Sequence, residues 1–116
     1  MPIQPARLMR IHISESDRAG DKPLYEVIVA KCREMQVAGA TVLRGLEGYG
    51  ETTEMHKSHL TYHNRPIVIS IVDSAEKVAQ LAPVVEAMMN TGVLAISDVE
   101  MIRVQKPKAT APRSIE

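Results

Sequence analysis

Phenylalanine and tryptophan are absent from the 116-residue chain, and three tyrosines are its whole aromatic complement. Such a chain lacks the aromatic platforms on which single-stranded nucleic acid stacks, and its core must be aliphatic. Cysteine is nearly absent as well. A lone Cys32 excludes an intramolecular disulfide and fits a reducing compartment. Neither sign of charge predominates, because 14 Lys and Arg balance 14 Asp and Glu, and no polyanion-binding surface is expected. No apolar run approaches the roughly 18 residues of a transmembrane helix, and Met1 to Arg10 lacks the apolar stretch of a signal peptide. Together these absences predict a cytoplasmic protein with no nucleic-acid partner and no direct membrane insertion.

What remains is ordinary globular composition, with 45% hydrophobic and 24% charged residues. The 12.8 kDa mass suits one compact domain and not two. Residues 6–14 alternate, Met9, Ile11 and Ile13 against Leu8, Arg10 and His12, which is the period of a strand. Pro23 then opens a helix over 23–38, with Leu24, Val27, Ile28, Cys32 and Met35 on its apolar face and Gly39 as its stop. Residues 40–47 read as a second strand feeding a long polar loop over 48–64, which exceeds ordinary connection lengths. With few large apolar residues beyond Met55, Leu60 and Tyr62, that loop is expected to be mobile and functional.

Ile67 to Val72 reads as a strand buried on both faces. Asp73 or Ser74 caps a second helix carrying Val78, Leu81, Ala82, Val85 and Met89, which Pro83 is expected to kink or break before Thr91-Gly92 ends it. A last strand lies within Val93 to Val104, with Val99 to Val104 its clearest part. Residues 1–104 thus make one α+β domain, a ferredoxin-like βαββαβ sheet with both helices on one face. Residues 105–116, with Pro107 and Pro112 and no apolar period, make a disordered tail. An apolar third strand and an uncovered sheet face together predict a closed cyclic oligomer.

The most informative stretch is Gly39-Ala-Thr-Val-Leu-Arg-Gly-Leu-Glu-Gly-Tyr-Gly50, followed by the strand ending Ile71-Val-Asp73 and then Glu76-Lys77. Here the chain resembles an uncharacterised family of small PII-like (nitrogen-regulatory-protein-like) domains, in which a Gly-Ala-Thr-Val-x-Arg-Gly strand runs into Gly-aromatic-Gly. The resemblance covers about residues 6–104. It implies a homotrimer that binds an adenine nucleotide in clefts between subunits and engages a protein partner through the long loop. On that basis Arg44, Gly45, Gly48, Tyr49, Gly50, Thr91, Gly92 and Arg103 are the candidate nucleotide-binding residues. PII proteins follow the Thr-Gly turn with a Gly-Asp-Gly-Lys phosphate-binding run, whereas this chain reads Val93-Leu-Ala-Ile-Ser-Asp98. AMP, ADP or another small anion is therefore expected as the ligand in place of ATP, and no resident cofactor is expected.

Plainer readings stand beside these. Gly48 and Gly50 can form an anion nest around Tyr49 or merely a strand exit with positive φ. Arg44 and Arg103 can fork onto a phosphate or pair across a subunit interface with Glu47 and Glu100. His56, His59 and His63 form either a polar loop or a Zn²⁺ or Cu²⁺ site, the latter making the protein a divalent-metal-binding trimer resembling CutA. His12 and Cys32 read as strand and core residues. Met1-Pro2-Ile3 resembles the start of tautomerases, whose terminal proline is a base, but Pro5 is expected to interrupt the strand and leave Pro2 on a loose arm. With no paired carboxylates, nucleophile elbow or Walker motif, the chain reads as a binding protein and not an enzyme.

Overall fold

A computed structural model describes residues 2–49 and 65–107. The elements run β1 (Gln4–Ser14), β2 (Arg18–Ala19), β3 (Lys22–Pro23), α1 (Leu24–Glu34), β4 (Thr41–Arg44), β5 (Pro66–Asp73), α2 (Ala75–Met88) and β6 (Val93–Met101). Four strands form one sheet in the order β4-β5-β1-β6, every neighbouring pair antiparallel, while β2 and β3 make a small separate hairpin. This is the expected α+β, ferredoxin-like arrangement. Most of the loop 48–64 and of the tail 105–116, namely residues 50–64 and 108–116, lies outside the described residues.

The core follows from the alternation of β1 and β5. Met9, Ile11, Ile13, Ile67, Ile69 and Ile71 point to one face, where Leu24, Ile28 and Cys32 of α1 and Val78, Leu81 and Val85 of α2 cover them. Each such side chain withdrawn from water contributes about 1.5–3 kcal/mol before entropy is counted. The opposite face carries Leu8, Arg10, His12, Leu43, Val68, Ser70, Val72, Val93 and Ala95, and no described element covers it. Burial of β5 accordingly alternates, with Val72 exposed, and is not two-sided as its apolar sequence implies for a single chain.

Several boundaries differ from those read in the sequence, each for a long-range reason. β1 starts at Gln4, so Pro5 lies inside it rather than interrupting it. Pro5 pairs only with Glu100 of β6, because β5 reaches no further than Arg7, and a missing N–H is tolerated where a strand has one neighbour. β6 ends at Met101, opposite Gln4, so residues 102–104, Ile-Arg-Val, find no partner strand and lie outside the sheet. β4 stops at Arg44 rather than running to residue 47.

The stop of α1 is not Gly39. Gln36 adopts a left-handed φ of 60°, the Val37 N–H donates to Cys32 O at 2.9 Å, and the Gln36 N–H donates to Arg33 O at 3.1 Å. These are the two bonds of a Schellman motif, closed here by glutamine where glycine is usual. Ser74 caps α2 by accepting from the Lys77 N–H at 3.1 Å. Asp73 instead accepts through its carboxylate from the Ala38 N–H at 2.8 Å and the Ser74 N–H at 2.7 Å, tying the end of β5 to the connection after α1. Lys77 reinforces that tie by donating to Met35 O at 2.9 Å. Pro83 does not break α2; it and Ala79 lie on the exposed side, where the carbonyl that loses its helical bond is open to solvent. At the far end of α2, Gly92 turns the chain into β6 with a φ of 139°, its α-carbon packed so that an added Cβ would meet His12 O at 2.7 Å.

Two glycine exchanges should move stability in opposite directions. Gln36→Gly removes a left-handed side chain and is expected to stabilise by about 0.5–1 kcal/mol. Gly92→Ala is expected to cost about 2 kcal/mol through backbone strain and crowding. Urea unfolding midpoints check both, and a destabilised Gln36→Gly variant would contradict the assigned cap.

Candidate ligand-binding site

Antiparallel pairing sets which candidate residues share an end of the sheet. Arg44 pairs with Ile67, Ser14 with Pro66 and His12 with Val93, so the end of β4, the end of β1 and the start of β6 lie at the same edge. Gly45, Gly48 and Tyr49 continue from β4 there, and Thr91-Gly92 enter β6 there. Two strands separate the groups. Three inter-strand steps of about 4.8 Å put roughly 14 Å between β4 and β6, so one chain does not close a single cleft from both.

Arg103 is not part of this end. It lies two positions past Met101, beyond the opposite end of the sheet. Its carry-over as a phosphate ligand beside Arg44 is therefore not met within one chain, and Glu100 forms no ion pair with it among the described residues. Gly50 and the three histidines His56, His59 and His63 lie outside the described residues. Pro2 is exposed, two residues before β1.

At the β4 side, Arg44 pairs with Glu15 at 2.8 Å, and not with Glu47. Glu15 follows the last residue of β1 in a turn closed by Asp17, whose carboxylate accepts from the Ser14 N–H at 2.9 Å. Its own N–H donates to Arg65 O at 2.8 Å. Nothing local in the sequence marks this acid as the partner of Arg44; only the register of three strands brings them together. Gly45 has a packing reason for being glycine, because a Cβ there would meet the Pro66 ring at 2.7 Å. One on Gly48 would make only ordinary contact with that ring at 3.4 Å, and Gly48 does not have the positive φ read into the strand exit. Gly45 also donates its N–H to Pro66 O at 2.8 Å. Tyr49 is 82% exposed, leaving its ring open to a ligand or a second chain.

At the β6 side, Thr91 and Gly92 line an open depression of about 490 Å³ together with Glu86, Met89, Asn90 and Leu94. Its polar groups are a hydroxyl, an amide and one carboxylate, a set that suits hydroxyl and amine hydrogen bonding better than a phosphate. Elsewhere, Arg7 and Asp98 pair at 3.0 Å at the opposite end of the sheet. Cys32 is buried in the core, and burial pushes its thiol above its ordinary value, so it is no ready nucleophile. No described helix is long and apolar enough to cross a membrane.

Comparison with known proteins agrees with this architecture. A UPF0166 protein of Aquifex aeolicus is 33% identical over 104 residues, covering 88% of this chain and 98% of that protein. Among solved structures, a putative PII-like signaling protein from Thermus thermophilus superposes with a TM-score of 0.65 at 13% identity, covering 88% of this chain and 94% of that one. CPII, a nitrogen regulatory PII-like protein from Thiomonas intermedia bound to ADP, AMP and bicarbonate, gives 0.60 at 19% identity, with coverage of 88% and 92%. The divalent ion tolerance protein CutA1 from Ehrlichia chaffeensis gives 0.53 at 11% identity, with coverage of 86% and 84%. Such identities establish a shared PII-like, ferredoxin-like fold. Residues 6–101 match the model of one family, and the chain accordingly belongs to DUF190, described as "Uncharacterized ACR, COG1993".

Proposed function

We propose that the protein is a PII-like regulatory protein of the cytoplasm, not an enzyme, which binds an adenine nucleotide between the subunits of a homotrimer. The observation that carries this reading is the division of the candidate site. Arg44 to Tyr49 and Thr91-Gly92 share one end of the sheet but belong to its two outer strands and their connections, beside a face of mixed apolar and polar residues that nothing described covers. A closed ring joins unlike edges of neighbouring copies, so it would place one subunit's β4 side against the next subunit's β6 side and complete the cleft. The ligands of the Thiomonas protein support an adenine nucleotide as the class.

Within such a cleft, Arg44 would fork onto a phosphate. Asn90 and Thr91 of the neighbouring copy would meet the nucleoside. The absence of a Gly-Asp-Gly-Lys run after Gly92 favours AMP or ADP over ATP. Ligand would favour one arrangement of segment 48–64, and a protein partner would read that arrangement through its differential affinity. A second reading, binding of a divalent metal by His56, His59 and His63, draws on their spacing and on the likeness to the divalent ion tolerance protein.

Sedimentation at micromolar concentration should give three times the chain mass; a stable monomer would sink the assembly. AMP or ADP at about a hundred times its Kd should stabilise the protein by about 2.7 kcal/mol in a thermal-shift experiment. Arg44→Ala should abolish that shift, and replacing the three histidines by Ala should spare it. A Zn²⁺ or Cu²⁺ shift lost with the histidines, and no nucleotide shift, would establish the metal reading instead.

A further inference from the structure

Glu15 is held in an unusual way for an acidic residue at a strand end. Its side chain is only 21% exposed, its Oε2 lies 2.8 Å from Arg44 Nη2, and its Oε1 is buried with no hydrogen-bond partner among the described residues. An ionised carboxylate offers about four acceptor sites, and leaving an oxygen dry and unpartnered costs free energy. The Arg44 side chain is 46% exposed, so the cation of the pair faces solvent more than the anion does. The arrangement amounts to a cation already occupied by an under-satisfied anion.

We infer that Glu15 is the resident anion of the Arg44 site, occupying the guanidinium until a phosphate group displaces it, and that it thereby sets the site's selectivity for doubly charged phosphate. This rests on the nucleotide reading of the site. A tethered carboxylate competes at an effective concentration in the millimolar range, which dilute singly charged anions do not overcome. A phosphate monoester carries about −1.5 to −2 charges and three strong acceptor oxygens, so it takes the guanidinium where a carboxylate does not. Displacement frees the Glu15 side chain to rotate into water and satisfy its second oxygen. The Glu15 N–H bond to Arg65 O is a backbone contact that the exchange leaves in place. Glu15 therefore grips both sides of segment 45–65, one by a contact the ligand removes and one by a contact it keeps.

Glu15→Gln is the test, because it removes the charge at nearly constant shape and preserves the backbone bond. Removing the anion that competes for the guanidinium should tighten AMP binding by about tenfold. Adenosine binding should be unchanged, which also reports that the variant is folded. In an Arg44→Met background the same exchange should not restore AMP binding, since the competition requires the guanidinium. AMP binding that is unchanged or weakened by Glu15→Gln would overturn the inference and leave the nucleotide reading standing. If AMP and adenosine fail to bind any form but inorganic phosphate binds Glu15→Gln about tenfold more tightly than wild type in an Arg44-dependent way, the inference stands and the nucleotide reading falls. No binding of AMP or phosphate to either form would overturn both.

Discussion

The pairing of β1 on both its sides is the constraint on which the rest of the structure depends. It matches eight residues with β5 and nine with β6, placing the chain's first long strand at the middle of the sheet. A slip of one residue would turn Arg10 and His12 into the core and Met9, Ile11 and Ile13 out of it. That penalty holds the register, and the register then sets the site. Ser14 opposite Pro66 brings Glu15 against Arg65; Arg44 opposite Ile67 brings its guanidinium to Glu15. A polar contact between residues far apart in sequence is thus a by-product of apolar alternation.

The helices share one face, and their mutual placement is secured by polar contacts rather than by a broad helix interface. Asp73 at the end of β5 and Lys77 in the first turn of α2 hold the backbone of Ala38 and Met35 just past the end of α1. The Met35 carbonyl is one of the groups that the end of a helix leaves without an intrahelical partner. One latch therefore satisfies the exit of α1 and fixes the entry of α2. The apolar helix-facing residues supply cohesion, while these two side chains determine how the βα halves align.

Much of this fold is legible in the sequence because its signals are local and periodic. The alternation of Met9, Ile11 and Ile13, the spacing of Leu24, Ile28 and Cys32, and that of Val78, Leu81 and Val85 predict the buried faces. What escapes is decided by distant chain. Pro5 looks like an interruption because only the sheet shows that it has one neighbour. Residues 102–104 look like strand because only the sheet shows that β1 has run out. Gly39 draws the helix stop that belongs to Gln36, a residue with no visible signal for a left-handed turn. In the candidate site, Arg44 stands out within its glycine-rich stretch. Glu15 does not, and Gly45 reads as a candidate nucleotide-binding residue with nothing local to show that the Pro66 ring constrains it.

That ring has an evolutionary consequence. Gly45 and Gly48 rest on Pro66, and Gly45 is bonded to its carbonyl, so the two arms of the segment are fastened together at their base. The β4–β5 pairing and these contacts at its base are all made by residues 41–48 and 66–70. Doubling the length of such a closed segment costs only about 0.6 kcal/mol of loop entropy. Insertions, deletions and wholesale replacement of residues 50–64 can accumulate while the sheet keeps its register, so new recognition surfaces can be tried on an unchanged scaffold.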